Sequence, residues 1–138
     1  ERFKDVIDFN VESDKNDFQI SASKGKLTQI LDNLILNSEY WLKEKARTDK
    51  NFSPTITLEV RNPFLRIYDN GLGIDPELDN RIFQPFITTK PRHIGRGLGL
   101  FIVQQLLDSL GCEITLLEQR NIYNRKYIFQ INLSPLTK

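Results

Sequence analysis

The run Leu27-Thr28-Gln29-Ile30-Leu31-Asp32-Asn33-Leu34-Ile35-Leu36-Asn37-Ser38-Glu39-Tyr40-Trp41-Leu42 decides the reading of this chain. Leu27, Ile30, Leu31, Leu34, Ser38, Trp41 and Leu42 recur every three or four residues, and Ser38 is the only polar member. That period marks one mostly apolar face of a helix running from about Lys24 to Lys45. Asn33 and Asn37 are four apart, so both project beside that face. Tyr40 and Glu44 continue their line. An amide oxygen there can coordinate a hard cation such as Mg2+, and its NH2 group can meet a phosphate. Two solvated asparagines at the helix border are the alternative.

Outward from this helix the period changes. Upstream, Ile7, Phe9 and Val11 alternate with Asp8 and Asn10 as in a strand, and Phe18 and Ile20 suggest a short second one. Downstream, Ala46 to Pro54 is a polar loop. Ile56, Leu58 and Val60 then alternate with Thr55, Thr57 and Glu59, and Phe64 to Tyr68 is a second β-rich run. The turn-forming Arg61-Asn62-Pro63 between them predicts an antiparallel hairpin. Pro76 to Ile82 reads as a short helix with proline in its first turn. Phe83 to Gly97 has no period. Leu100, Val103, Leu106, Leu107 and Leu110 mark a second long helix, and Gly111 sits where a C-terminal glycine belongs. Two strands follow, Cys112 to Leu117 and Tyr127 to Leu133. The expected fold is α+β: a two-layer sandwich with a mixed sheet under helices on one face.

Composition sets the outer limits. The 138 residues make one domain's worth of chain. Nineteen Lys and Arg against eighteen Asp and Glu argue against a nucleic-acid-coating surface. The single cysteine excludes a disulfide framework and a Cys-based zinc cluster. The single histidine, His93, excludes a two-histidine site. No apolar run reaches the ~20 residues of a membrane span, and Glu1 to Asp8 is not a signal peptide. The lack of any methionine, even at position 1, is read as the mark of a piece cut from a longer chain.

Three further segments carry chemistry. Asp69-Asn70-Gly71-Leu72-Gly73 follows a strand; glycines there admit close backbone approach, and Asp69 offers a carboxylate to a donor such as an exocyclic amine. A hairpin turn is the competing reading, weakened because Ile74-Asp75-Pro76-Glu77 opens a helix-like stretch. Gly95-Arg96-Gly97-Leu98-Gly99 enters a helix, where backbone N–H groups and the dipole favour phosphate. It matches neither the dinucleotide fingerprint nor the P-loop, and a flexible surface loop is its alternative. Phe83-Gln84-Pro85-Phe86-Ile87-Thr88-Thr89-Lys90 suits the base of a loop closing over a ligand, or simple aromatic packing.

In this order the four segments resemble the N, G1, F and G2 boxes of the ATP-binding catalytic domain of sensor histidine kinases. That superfamily also holds gyrase, the ninety-kilodalton heat-shock chaperones and the mismatch-repair ATPases. The resemblance covers about Phe18 to Leu133. It implies the Bergerat sandwich, with residues 1–138 a single ATP-binding domain of a longer kinase, and ATP and Mg2+ as ligands. It gives Asn37 the metal, and Asn33 a part with the metal or phosphates. It gives Asp69 the adenine amino group, with Gly71 and Gly73 around the base. Gly95, Gly97 and Gly99, with Leu98 between them, would cradle phosphates; Thr89, Lys90 and Arg96 would lie near them. Ile87 to Arg96 would be a short lid, similar to that of nitrogen-regulation-type kinases. His93 falls there among Lys90, Arg92 and Arg96, a poor place for a phosphoacceptor.

The implied activity is transfer of the γ-phosphate of ATP to a histidine on a separate dimerisation domain of the same parent protein, serving a response regulator indirectly. The domain is expected to be cytoplasmic, without nucleic-acid or membrane contact, though its parent can be membrane-anchored. The alternatives are an ATPase switch of the gyrase, chaperone or repair branch and a serine kinase acting on an anti-sigma-factor partner. Asn33 stands where gyrase and the repair enzymes carry a water-activating glutamate, and an amide is no base. Three departures from the kinase pattern stand out. Ser38 replaces a usual alanine, Asn124-Arg125-Lys126-Tyr127 lacks a Gly-Thr pair, and the Lys43 to Pro54 loop is long and charged.

Overall fold

The computed structural model describes residues 7–14, 19–87 and 98–137. The elements run β1 (Asp8–Ser13), α1 (Lys24–Thr48), β2 (Thr55–Arg61), β3 (Phe64–Asp69), α2 (Gly99–Ser109), β4 (Glu113–Leu116) and β5 (Ile128–Asn132), closed by a 3-10 turn at Ser134–Leu136. The Ser23 side chain accepts the Lys26 N–H and caps α1, satisfying one of the donors a helix start leaves orphaned. Gly111 takes φ +77°, and the Cys112 N–H turns back onto the Leu107 carbonyl at 2.9 Å, so α2 ends where its glycine permits.

One five-stranded sheet has the order β1-β2-β3-β5-β4. β1 and β2 pair in parallel across the α1 crossover, and the other three pairings are antiparallel. The β2–β3 hairpin forms as its alternation predicts. Ile56, Ile67, Ile114, Phe129 and Ile131 face the helices and are buried with Ile30, Leu34 and Leu42 of α1 and Val103 and Leu107 of α2. Each such side chain contributes roughly 1.5–3 kcal/mol by leaving water. Cys112 is a buried thiol in the same core. The opposite sheet face is polar: Glu59 pairs with Arg61 at 3.0 Å and Arg66 at 3.6 Å, and Arg66 Nε donates to Gln130 Oε1 at 2.7 Å.

Three expectations need correction. The segment 76–82 is a series of turns, not a helix. Its bonds run from Leu78 N–H to the Asp75 carbonyl and from Arg81 N–H to the Leu78 carbonyl, each i to i−3. Ile82 is buried in the core and Leu78 packs against it. Among the described residues no second strand forms between β1 and α1: Ile20 makes one isolated antiparallel bridge to Thr137, and Phe18 lies outside the described residues. Finally, α1 runs three residues past Lys45, to Thr48, which shortens the loop after it.

Candidate functional site

A cavity of about 490 Å3 opens between α1 and the end of the sheet. That size suits a small organic ligand. Asn37, Trp41, Lys45 and Thr48, at successive three- or four-residue steps, form the α1 wall. Asp69 and the segment Gly71 to Asp75 form the facing wall, with Leu78, Ile82 and Leu100 below and Arg125, Tyr127 and Phe129 from the β4–β5 hairpin beside it.

Asp69 is the last residue of β3, paired with Ile56, so it points to the helix side of the sheet. There it meets Ser38, the polar member of the α1 core stripe, which is 7% exposed. The Ser38 side chain hydrogen-bonds to the Asp69 carboxylate, and Gly71 N–H donates to Asp69 Oδ1 at 2.8 Å. Burial pushes the Asp69 carboxyl above its ordinary value, and these two bonds pull the other way. Two partners do not exhaust a carboxylate's acceptor capacity, so Asp69 can still receive a donor from the cavity.

The glycines are fixed by space. A Cβ on Gly71 would lie 2.9 Å from Asp69 Oδ1 and 3.3 Å from Leu42. Gly73 takes φ +91°, and a Cβ there would lie 2.7 Å from Asn121 Nδ2 and 2.8 Å from the Arg125 Cβ. Asn70 is an anchor: its Oδ1 accepts Thr55 N–H and its Nδ2 donates to the Ser53 carbonyl, both at 2.8 Å.

Asn37, Asp69, Gly71 and Gly73 therefore gather around one cavity. Asn37 lines the cavity, and an amide oxygen suits Mg2+, which takes oxygen ligands and completes its shell with water and substrate phosphates. Asn33 does not line the cavity; its Nδ2 donates to the Gln29 carbonyl at 2.8 Å, and its Oδ1 lies 3.8 Å from where a Gly99 Cβ would be. Leu98 and Gly99 form the start of α2, which has no side-chain cap and no acidic residue in its first turn. Thr89, Lys90, Gly95, Arg96 and Gly97 lie outside the described residues, as does His93. Among the described residues no group of three or more His, Cys, Asp or Glu side chains is placed to hold a metal.

Residues 22–136 match the family of histidine kinase-, DNA gyrase B- and HSP90-like ATPases. The chain belongs to this family. It is 30% identical over 125 residues to the sensor histidine kinase ZraS of Salmonella typhi, covering 87% of this chain and 24% of that protein. It is 32% identical over 103 residues to the signal transduction histidine-protein kinase AtoS of Escherichia coli K12, covering 75% of this chain and 16% of AtoS. This chain therefore spans a quarter or less of either relative's length. Its fold superposes on the catalytic domain of histidine kinase ThkA with a TM-score of 0.66 at 31% identity, over 97% of this chain and 83% of that one. The relatives are histidine kinases, so the ATPase-domain and kinase resemblance carried by the four segments holds.

Sequence reasoning missed much of the cavity wall. Ser38 is read there as the only polar member of the apolar stripe and as a departure from the kinase pattern, but not as a partner of Asp69, which a lone polar residue in such a stripe could have signalled. Lys45, Thr48 and Asp49 fell in or beside what read as a solvated loop.

Proposed function

We propose that residues 1–138 act as one ATP-binding catalytic domain of a sensor histidine kinase, binding Mg-ATP and donating its γ-phosphate to a histidine on a separate dimerisation domain. The observation that carries this reading is Asp69: a half-buried carboxylate at the wall of a ligand-sized cavity, fixed by Ser38 and Gly71 in a domain of this family. Asp69 accepts the adenine amino group, and Gly71 and Gly73 leave the base room. Asn37 holds Mg2+ through its amide oxygen; the ion neutralises phosphate charge. Asn33 orients that region from the α1–α2 seam. The uncapped start of α2, at Leu98 and Gly99, receives phosphate oxygens together with Thr89, Lys90, Gly95, Arg96 and Gly97.

The imidazole of the partner domain is itself the nucleophile, so this domain supplies positioning and charge neutralisation. The phosphohistidine then serves a response regulator, and the reaction takes place in the cytoplasm. No helix among the described residues is long and apolar enough to cross a membrane. Asn33 occupies the place of a hydrolytic base without being one, which favours the kinase over an ATPase switch.

The test is binding of a fluorescent ATP analogue. Asp69→Asn and Asn37→Ala each abolish it at concentrations that saturate the wild type, with far-UV circular dichroism unchanged. Wild-type binding by both variants overturns the pocket assignment. Rapid steady-state hydrolysis by the isolated chain overturns the kinase reading in favour of the ATPase switch.

A further inference from the structure

The β4–β5 hairpin is tied to the cavity at two places. Its shoulder is joined to the Gly-rich segment: Asn121 Nδ2 donates to the Leu72 carbonyl at 3.0 Å, and Ile74 N–H donates to the Lys126 carbonyl at 2.9 Å. Its tip reaches α1. The Lys45 ammonium lies 5.7 Å from the centroid of the Tyr123 ring and 4.4 Å from that of Phe52, and 3.7 Å from Asp49 Oδ2. A lysine normally extends into water, but this side chain is only 16% exposed. It is held between two aromatic rings from two different loops, with a carboxylate balancing its charge.

Lys45, Thr48 and Asp49 also line the cavity. Lys45 is eight residues beyond Asn37, or about 12 Å along the helix axis, so it serves the end of the cavity away from the proposed metal ligand. The two loops that converge on it, 49–54 and 117–127, overlap two of the three departures from the kinase pattern.

We propose that Lys45 is a positioning residue that latches the hairpin tip onto α1 and so steadies Arg125, the cavity-lining residue beside that tip, setting affinity for the nucleoside part of the ligand. This rests on the nucleotide reading given above. Without the cation the hairpin keeps its shoulder bonds, while its tip and the adjoining Arg125 sample open positions. Apparent affinity then falls by the fraction of molecules with the wall in place.

Calorimetric titration of residues 1–138 with ADP and with adenosine tests this. Lys45→Met is expected to weaken both ligands by the same factor, about threefold to tenfold, the range of a partly desolvated cation–π contact, with the Mg2+ dependence of ADP binding unchanged. Lys45→Arg, which keeps the cation, restores affinity. Tyr123→Ser, at a tip residue that is 43% exposed and safe for folding, gives the same loss, and the double variant gives no more. Unchanged binding in Lys45→Met, failure of Lys45→Arg to restore it, or additive losses in the double variant overturn the latch while leaving the nucleotide reading intact. Absence of ADP binding by the wild type overturns the nucleotide reading and the latch with it.

Discussion

The Asp69 wall of the cavity and the α2 end differ in how far their polar groups are already satisfied. At the first, Gly71 N–H and Ser38 both reach Asp69, Asn70 bridges Thr55 and Ser53, and Asn121 holds the Leu72 carbonyl. At the second, α2 starts at Gly99 behind an apolar Leu98, with no side-chain cap and no acid in its first turn. The other long helix shows that the protein can cap a helix, because Ser23 does so for α1. A base is recognised by one or two bonds of fixed direction, which requires a rigid shell. A phosphate brings several acceptors of its own, so a helix start meant for it is better left uncapped.

The contrast can be broken from either side. Gly73→Ala attacks the rigid wall: a residue forced to φ +91°, with its Cβ 2.7 Å from Asn121, is expected to cost about 1–3 kcal/mol, measured by urea unfolding. A neutral outcome there means the wall is not rigid. Leu98→Asp places a negative charge against the α2 dipole at the other end. It is expected to raise stability by no more than about 0.3–1 kcal/mol while weakening ATP about tenfold and leaving adenosine unaffected; equal weakening of both ligands places the phosphates elsewhere. Ser23→Ala, the control, is expected to cost about 1 kcal/mol with no change in nucleotide affinity.

The smallest effect concerns Asp69 itself. Its folded-state value lies above the ordinary one because burial outweighs its two hydrogen bonds. It therefore holds its proton more tightly when folded, and ionising it costs stability as pH rises through the carboxylate range. Asp69→Asn, proposed above to lose nucleotide binding, is thus expected to be somewhat more stable than wild type near neutral pH. That advantage shrinks as the pH is lowered through the carboxylate range, read from urea midpoints across the series. A variant less stable than wild type at neutral pH means the Ser38 and Gly71 bonds outweigh the burial.

Much of this was legible in local pattern. The apolar period of α1, the alternation of β2 and β3 and the position of Gly111 each reflect a residue's immediate neighbours, and each appears in the fold. Asp69, Gly71 and Gly73 could be picked out because their spacing after a strand is short and local. The segment 76–82 misled because proline and a following apolar pair resemble a helix start. In the structure its backbone closes i to i−3 turns at 75–78, 78–81 and 81–84 in place of an i to i−4 ladder, and the Asp75 side chain takes the Glu77 N–H at 3.0 Å.

The sequence by itself determined the α+β class, the order of the two long helices and the strands around them, and the Asp69 segment, since periodicity and turn chemistry act within a few residues. Only the tertiary structure decided that β5 lies between β3 and β4, that Ser38 faces Asp69, and that Lys45 meets Tyr123. Those contacts join residues far apart in the chain. Their energy appears only when the sheet and α1 are packed together, so no local pattern records them.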